Sequence, residues 1–390
     1  MANRGRTYDP QVFSIHDLQR LASEKLSTTY REYYNEGAMD LLTLRDNEKA
    51  YDRYKIRPRV LKDVSNIDSS VTLFGARVKF PFGFSPTAMQ KLAHEDGEVG
   101  TSRAAASVGV PMALSCYSTI DLESVISHGK GNPYIMQLSL LKNREAMIQM
   151  VERAEKAGYK ALFLTLDAPY LGRRLNEFRN SFGLPEGMEY PNLFPGVDVS
   201  NLEDAGDSMA YGKIDPTPWA SFEILTWADI ETAIGWAELI AFFRKHTKMQ
   251  IWGKGVYTPE DVELAIQHGF DGVVISNHGG RQLDGSPATL DALRDCAPVA
   301  EGRILIAIDG GIRRGTDIFK AIALGADFCF AGRPAIWGLA YAGEKGVKLA
   351  LDILYDEFIT CMALAGCRSV ADITKGHLAL LQPDGVLAKL

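Results

Sequence analysis

A closed barrel of eight parallel strands, each followed by a helix, is the fold this sequence predicts: an α/β chain forming a (β/α)8 TIM barrel with an N-terminal helical cap and a long excursion after strand four. Three observations predict it. Eight short apolar segments recur along the chain, and helix-patterned spacers separate most of them. Each apolar segment also turns polar at its C-terminal end, where barrel enzymes keep their chemistry. A doubly wound open sheet would alternate strands and helices too, but it needs no eightfold count.

Residues 1–79 come first, and STTYREYYNEGAMD at 27–40 has a helical signature, so this segment is expected to cap a barrel formed by residues 80–390. The strand segments follow as FPFGFSP (80–86), VPMALS (110–115), PYIMQLS (133–139), KALFLTLD (160–167), QIWGKGV (250–256), GVVISNH (272–278), RILIAIDG (303–310) and DFCFAGR (327–333). Each is short and apolar throughout, as strands covered on both faces should be. Spacers such as NREAMIQMVERAEKAG and TPEDVELAIQHG repeat apolar residues at intervals of three and four, and the second opens on Thr258-Pro259 and ends near Gly269. From Asp167 to Gln250 there is more chain than one crossover requires. Its part at about 175–235, rich in Pro, Gly, Asn and Asp, is expected to form an irregular excursion at the active-site end, either a lid or a surface loop.

The whole chain of 390 residues is 46% hydrophobic and 23% charged, enough to bury a full core. A net charge of −7 and a pI of about 5.6 argue against a nucleic-acid partner, which would call for clustered Lys and Arg. No segment approaches the roughly 18 apolar residues of a membrane span, and MANRGRTYDPQVFSIHDL lacks the apolar run of a signal peptide, so neither membrane insertion nor secretion is expected. Cys116, Cys296, Cys329, Cys361 and Cys367 have neither CxxC nor zinc-site spacing and are expected to be reduced thiols of an intracellular protein, with no metal. The final Ala388-Lys389-Leu390 is close to the SKL address, so a peroxisomal location is expected, and a cytoplasmic one otherwise.

The strand ends carry Ser85 to Ala88, Ser115, Gln137 and Ser139, Thr165 and Asp167, Lys254, Ser276 with His278 and Arg281, Asp309 to Arg313, and Gly332 with Arg333. His16, His94, His128, His246, His268 and His377 read as structural or surface groups. His278 differs, because Arg281 shares its strand end and Asp167 at another strand end could hold its ring, favour the imidazolium and so strengthen the neutral ring as a general base. Arg174 and Arg281 are planar forks suited to a carboxylate; a surface salt bridge is the plainer reading of each. IDGGIRRG and FAGRP end strands seven and eight, where barrels commonly bind phosphate through backbone N–H groups, and Arg313 and Arg333 add charge there. Lys254, set in the apolar WGKGV, needs an anionic partner or a depressed pKa. It could form a Schiff base, as in barrel aldolases, or face an electron-rich ring such as a reduced flavin. The neighbouring His, Asp, Arg and phosphate groups favour the flavin.

With these residues in view, SNHGGRQLDG, PTAMQKLAH, LTLDAPYLGRR, KGV and IDGGIRRGTDIFKAIALGA resemble the FMN-dependent (S)-2-hydroxy acid oxidases and dehydrogenases, the family that includes glycolate oxidase and lactate oxidase. The likeness runs from about Phe13 to the C-terminus. It implies that FMN is held by Pro86, Thr87, Ala88, Ser115, Gln137, Thr165, Lys254 and Ser276, with its phosphate at Asp309, Gly310, Gly311, Ile312, Arg313, Gly332 and Arg333. It further implies that His278 accepts the proton, Asp167 partners it, Arg174 and Arg281 clamp the substrate carboxylate, and Tyr33 reaches the substrate from the cap. Three positions depart from the family toward less bulk: Ser139 where tyrosine is usual, Tyr117 where glycolate oxidase has tryptophan, and Gly253 where valine is frequent. A pocket accepting a substrate larger than glycolate follows.

The implied reaction oxidises an (S)-2-hydroxy acid to the 2-oxo acid, with Lys254 offsetting negative charge at the flavin and O2 as the expected acceptor, giving hydrogen peroxide. A dehydrogenase with another acceptor, a lactate-monooxygenase-like outcome, a redox-neutral FMN isomerase and a Schiff-base aldolase at Lys254 are the competing readings. By resemblance a homo-oligomer, a tetramer, is expected.

Overall fold

The computed structural model describes residues 8–141, 144–193, 195 and 236–390. Its barrel strands are β1 (Phe82–Phe84), β2 (Met112–Leu114), β3 (Tyr134–Ser139), β4 (Ala161–Thr165), β5 (Gln250–Val256), β6 (Gly272–Ile275), β7 (Leu305–Ile308) and β8 (Phe328–Ala331). All are parallel; each pairs with the next in sequence, and β8 closes on β1 through Ala331 and Phe84. Every strand falls inside one of the eight apolar segments. The side chains pointing into the barrel include Ala113, Ile135, Phe163, Trp252, Val274, Ala307, Phe328 and Phe330, so the interior is a packed core and not a pore.

Trp252 fills the N-terminal end of the barrel. A Cβ at Gly272 would lie 2.3 Å from its indole, which is why β6 begins with glycine. From below, a hairpin (Val71–Leu73 with Ala76–Val78) sets Phe74 edge-on against the same ring at 5.5 Å. The segment before the barrel therefore covers its floor as well as its active face.

Three helices lie in that segment: α1 (Ile15–Lys25), α2 (Thr28–Asn35) and α3 (Leu42–Arg53). Ser14 and Ser27 cap the first two by accepting the Asp17 and Tyr30 N–H groups. The helical signature at 27–40 ends at Asn35 because the chain must next touch the barrel: a Cβ at Gly37 would stand 2.5 Å from the carbonyl oxygen of Gly280, at the end of β6.

After β4 comes the short helix α4 (Leu175–Arg179). Of the excursion expected at about 175–235, residue 194 and residues 196–235, and with them the expected lid, lie outside the described residues. The described part turns inward, burying Tyr190 and Leu193. The spacer read from TPEDVELAIQHG is α5 (Pro259–Gln267), with Thr258 accepting the Asp261 N–H at 3.2 Å and Gly269 in the left-handed conformation. The long α6 (Arg333–Ala365) is two helices joined at Ala342 and Gly343, and α1 packs along it. Residues Leu387–Lys389 pair antiparallel with Leu378–Leu381, which in turn pair with Tyr54–Ile56. All five cysteines are buried and free, and no helix among the described residues is long and apolar enough to cross a membrane.

Candidate active site

The loop leaving β6 explains the paired glycines of SNHGG. His278, Gly279 and Gly280 have φ of +57°, +65° and +76°, three successive left-handed residues, a conformation glycine adopts freely and histidine only when held. The hold is visible. The Ser276 hydroxyl accepts the His278 N–H at 3.1 Å, and Asn277 exchanges side-chain hydrogen bonds with Asn47 of α3 at 2.9 and 2.8 Å. Asn277 Oδ1 also accepts the Gly280 N–H at 3.0 Å. Held this way, His278 Nδ1 lies 3.1 Å from Asp167 Oδ1 beyond β4, leaving Nε2 for a substrate. Room for Asp167 comes from Gly255, at a bulge in β5 with φ of +97°, where a Cβ would sit 2.5 Å from that of Asp167.

The dyad's charge state follows from its surroundings. Burial and the Lys254 ammonium hold the His278 pKa below the usual histidine value, outweighing the pull of Asp167. The sequence reading gave Asp167 the upper hand, but burial of the ring, together with the Lys254 charge, reverses the sign. For Asp167, burial pushes upward, yet Lys254 and the charge and hydrogen bond of His278 bring it below the usual carboxylate value. At neutral pH the pair is thus a neutral imidazole beside an ionised carboxylate, the state a general base requires. Lys254 is 3% exposed, and Asp167 is the anion whose ionisation it favours.

Two guanidinium groups face the same space, and neither is a surface group. Arg174 is buried; it donates to Arg281 O at 3.3 Å and to Gln282 Oε1 at 3.3 Å. Arg281 lies 4.7 Å over the Tyr33 ring and donates to Tyr33 O and, at 3.1 Å, to Glu177. Glu177 Oε1 also sits 3.4 Å from Arg174, so one carboxylate on α4 links both cations. Burial and the Arg281 charge still push the Arg174 pKa down to about 10.

These groups open onto a cavity of about 200 Å³ at the C-terminal end of the barrel, whose wall includes Tyr33, Tyr117, Ser139, Arg174, His278 and Arg281. Strand register sets Ser139, Thr165 and Lys254 side by side across β3, β4 and β5. Gln137 donates to Thr165 at 2.9 Å and accepts the Cys116 N–H at 3.2 Å. The Ser139 hydroxyl neighbours both Cys116 Sγ, at 3.9 Å, and the phenol of Tyr117. Tyr190, from the excursion, packs edge-on against Tyr117 at 5.7 Å, and Phe182 stacks on Tyr33 at 4.5 Å.

At its other end the cavity is lined by Ser85, Pro86, Thr87, Ala88, Ser115, Asp309, Gly310, Gly311, Arg313, Gly332 and Arg333. Here two buried polar atoms have no hydrogen-bond partner among the described residues, Asp309 Oδ1 and Arg313 Nε. Burial, with Arg313 and Arg281 nearby, pushes the Arg333 pKa down to about 9. An unmet acceptor, an unmet donor and a destabilised cation fit a ligand that carries hydroxyls and a phosphate, as FMN does. The N-terminus of α6 begins at Arg333, beside Gly332, and favours an anion at the same place.

Three expected positions lie elsewhere. Ser276 is buried, its hydroxyl oxygen accepting the His278 N–H, and Ile312 is in the core; neither lines the cavity. Gly253 is next to Lys254 on the strand, so it faces the opposite way: a Cβ there would meet Leu166, Val256 and Phe270 and would leave the cavity unchanged. The sequence reading missed Glu177, Asn277, Gln282 and Asn47. Gln282 and Asn277 lie inside the quoted histidine motif and could have been found there; Asn47 and Glu177 carry no local signal.

Comparison with known proteins bears on this geometry. The family described as FMN-dependent dehydrogenase matches residues 22–380. An oxidase of Fusarium oxysporum f. sp. lycopersici, FUB9, is 53% identical over 380 residues, covering 97% of this chain and 94% of the relative. The glycolate oxidase of Spinacia oleracea is 43% identical over 373 residues, covering 95% and 96%. Among solved structures, a mandelate oxidase with benzoyl-formic acid superposes with a TM-score of 0.81 at 33% identity, covering 97% of this chain and all of the other.

Proposed function

We propose a role for each cavity residue on the ground that this chain belongs to the FMN-dependent dehydrogenase family. The protein is an FMN-dependent oxidase of 2-hydroxy acids, converting them to 2-oxo acids. The observation that carries the assignment of roles is the neutral His278, held 3.1 Å from Asp167 and facing buried Arg174 and partly buried Arg281 across one cavity.

Arg174 and Arg281 bind the substrate carboxylate through their free N–H groups and so orient C2 and its hydroxyl toward His278. Tyr33 borders the same place and supports Arg281 from beneath. His278 Nε2 takes a proton from the substrate, and Asp167 stabilises the imidazolium that results. Bound FMN supplies the two-electron acceptor for the oxidation of C2. Lys254, Gln137, Thr165, Ser115 and residues 86–88 would hold its ring, and Asp309, Gly310, Gly311, Arg313, Gly332 and Arg333 its phosphate arm. Lys254, as a buried cation, favours negative charge on the neighbouring ring.

The substrate is larger than glycolate in this reading. Ser139 leaves room where a tyrosine ring would stand, and the adjoining wall is formed by Ala88, Met89, Tyr117, Ala168 and Leu171, which suits an apolar or aromatic side chain. The mandelate oxidase that holds benzoyl-formic acid supports an aromatic candidate. O2 is the proposed acceptor, supported by relatives named as oxidases. A peroxisomal setting, carried by Ala388-Lys389-Leu390, and a homotetramer belong to the same proposal; import of a fluorescent fusion and light scattering test them.

The deciding experiment is an anaerobic visible spectrum of the flavin-loaded protein, to which glycolate, L-lactate, longer aliphatic and aromatic (S)-2-hydroxy acids are added in turn. Bleaching is expected, fastest with the larger acids, and hydrogen peroxide on admitting air. Fastest bleaching by glycolate would overturn the substrate reading, and unchanged flavin reduction in His278→Gln would overturn the base.

A further inference from the structure

The amide of Gln282 uses all of its hydrogen-bonding capacity on a single loop. Its two N–H groups donate to the carbonyl oxygens of Asp167, at 3.0 Å, and Tyr170, at 2.8 Å. Its oxygen accepts the Gly172 N–H at 3.1 Å and Arg174 Nη2 at 3.3 Å. All four partners lie in the stretch after β4, while Gln282 follows His278 and Arg281 on the loop after β6. We propose that Gln282 is a positioning residue that couples the His278–Asp167 base to the arginine clamp by stapling these two loops together.

The inference rests on the roles proposed above and adds to them. The donor half of the amide anchors the backbone of Asp167 itself, and the acceptor half orients Arg174. A shift of one loop against the other therefore disturbs base and clamp together. Glutamate could not donate, lysine could not accept, and methionine could not donate and accepts only weakly, so an amide of this length is what the seam demands. The loops meet backbone to backbone: a Cβ at Gly172 would lie 2.1 Å from Arg281 O and 2.5 Å from Gln282 Cα. Arg174 Nε also donates to Arg281 O across the seam. Gln282 contributes one side of the cavity wall, yet neither of its amide atoms is needed to explain substrate chemistry.

The test uses flavin-loaded enzyme and two readouts. Calorimetry measures binding of oxalate, a dicarboxylate without an oxidisable C–H bond, and stopped-flow absorbance follows anaerobic flavin reduction against pH. In Gln282→Met the oxalate Kd is expected to rise about tenfold, the loss typical of one hydrogen bond to a charged group. The acid limb of flavin reduction is expected to move to lower pH in the same variant, because an unanchored Asp167 supports the imidazolium less. Gly172→Ala, which wedges the seam open without altering any polar side chain, is expected to move both readouts in the same directions. A lower melting temperature with both readouts unchanged, or a change in one alone, overturns the coupling. His278→Gln runs alongside: if it reduces flavin as fast as the wild type, the base assignment has failed, whereas a collapsed His278→Gln with an unmoved Gln282→Met defeats this inference alone.

Discussion

A histidine that serves as a base must be uncharged when substrate arrives, and the surroundings of His278 arrange that. Its pKa lies below the usual histidine value because burial and Lys254 both disfavour the imidazolium. Flavin reduction should therefore climb with pH through an inflection below about 6.5 and be flat at neutral pH; an inflection well above that value in a stopped-flow profile would contradict the assignment. Asp167→Asn removes the anion that stabilises the imidazolium, and a loss of about 10² to 10⁴ in the reduction rate is expected. At the alkaline end, Arg174 titrates at about 10, so substrate affinity should weaken as pH rises through that value while the rate at saturation changes less. Ser139→Tyr restores the missing ring. It should lower kcat/KM for the larger acids by about tenfold or more and leave glycolate less affected, which a comparison of two substrates will show.

The elements that carry these residues differ in how plainly they are written in the sequence. The eight strands and α5 follow from local rules, apolar runs in one case and a Thr-Pro start with three- and four-residue spacing in the other. Thr258→Ala should cost about 1 kcal/mol of stability without changing flavin content, since Thr258 does not line the cavity; a thermal melt and the visible spectrum check it. The described part of the excursion was less legible. Its Pro, Gly, Asn and Asp content suggested a loop, yet Phe182 stacks on Tyr33 and Tyr190 packs on Tyr117, so it backs two residues of the cavity wall. The break of α6 at Gly343 was also hidden, because its cause is distant: a Cβ there would stand 2.4 Å from Asp96.

Taken whole, the molecule is a barrel whose floor is packed and whose upper end is left polar. Trp252 and Phe74 close the floor, so Trp252→Ala should cost about 3 to 5 kcal/mol and sharply lower the melting temperature, with a near-normal flavin spectrum in whatever folds. The upper end is the reverse case, holding Asp309 Oδ1 and Arg313 Nε buried without hydrogen-bond partners among the described residues. A ligand that meets them stabilises the fold by mass action, about 2.7 kcal/mol at a hundred times its Kd. FMN added to flavin-free protein should accordingly raise the melting temperature, and Arg313→Ala should remove most of that rise.

The sequence alone determined the architecture and marked most of the residues that the fold gathers around one cavity, because strand period, turn residues and strand-end chemistry are local features that adjacent residues express together. The histidine, its carboxylate, both arginines and the glycine-rich segments at the cavity's other end were all legible as residues in this way. Tertiary structure decided what depends on distance between segments far apart in the chain. Burial and the Lys254 charge outweigh the pull of Asp167 on His278, Glu177 joins the two guanidinium groups from α4, and Asn47 reaches from α3 to hold a strained loop. Such effects fall off steeply with separation, so they exist only once folding has brought the charges and amides within a few ångströms of one another.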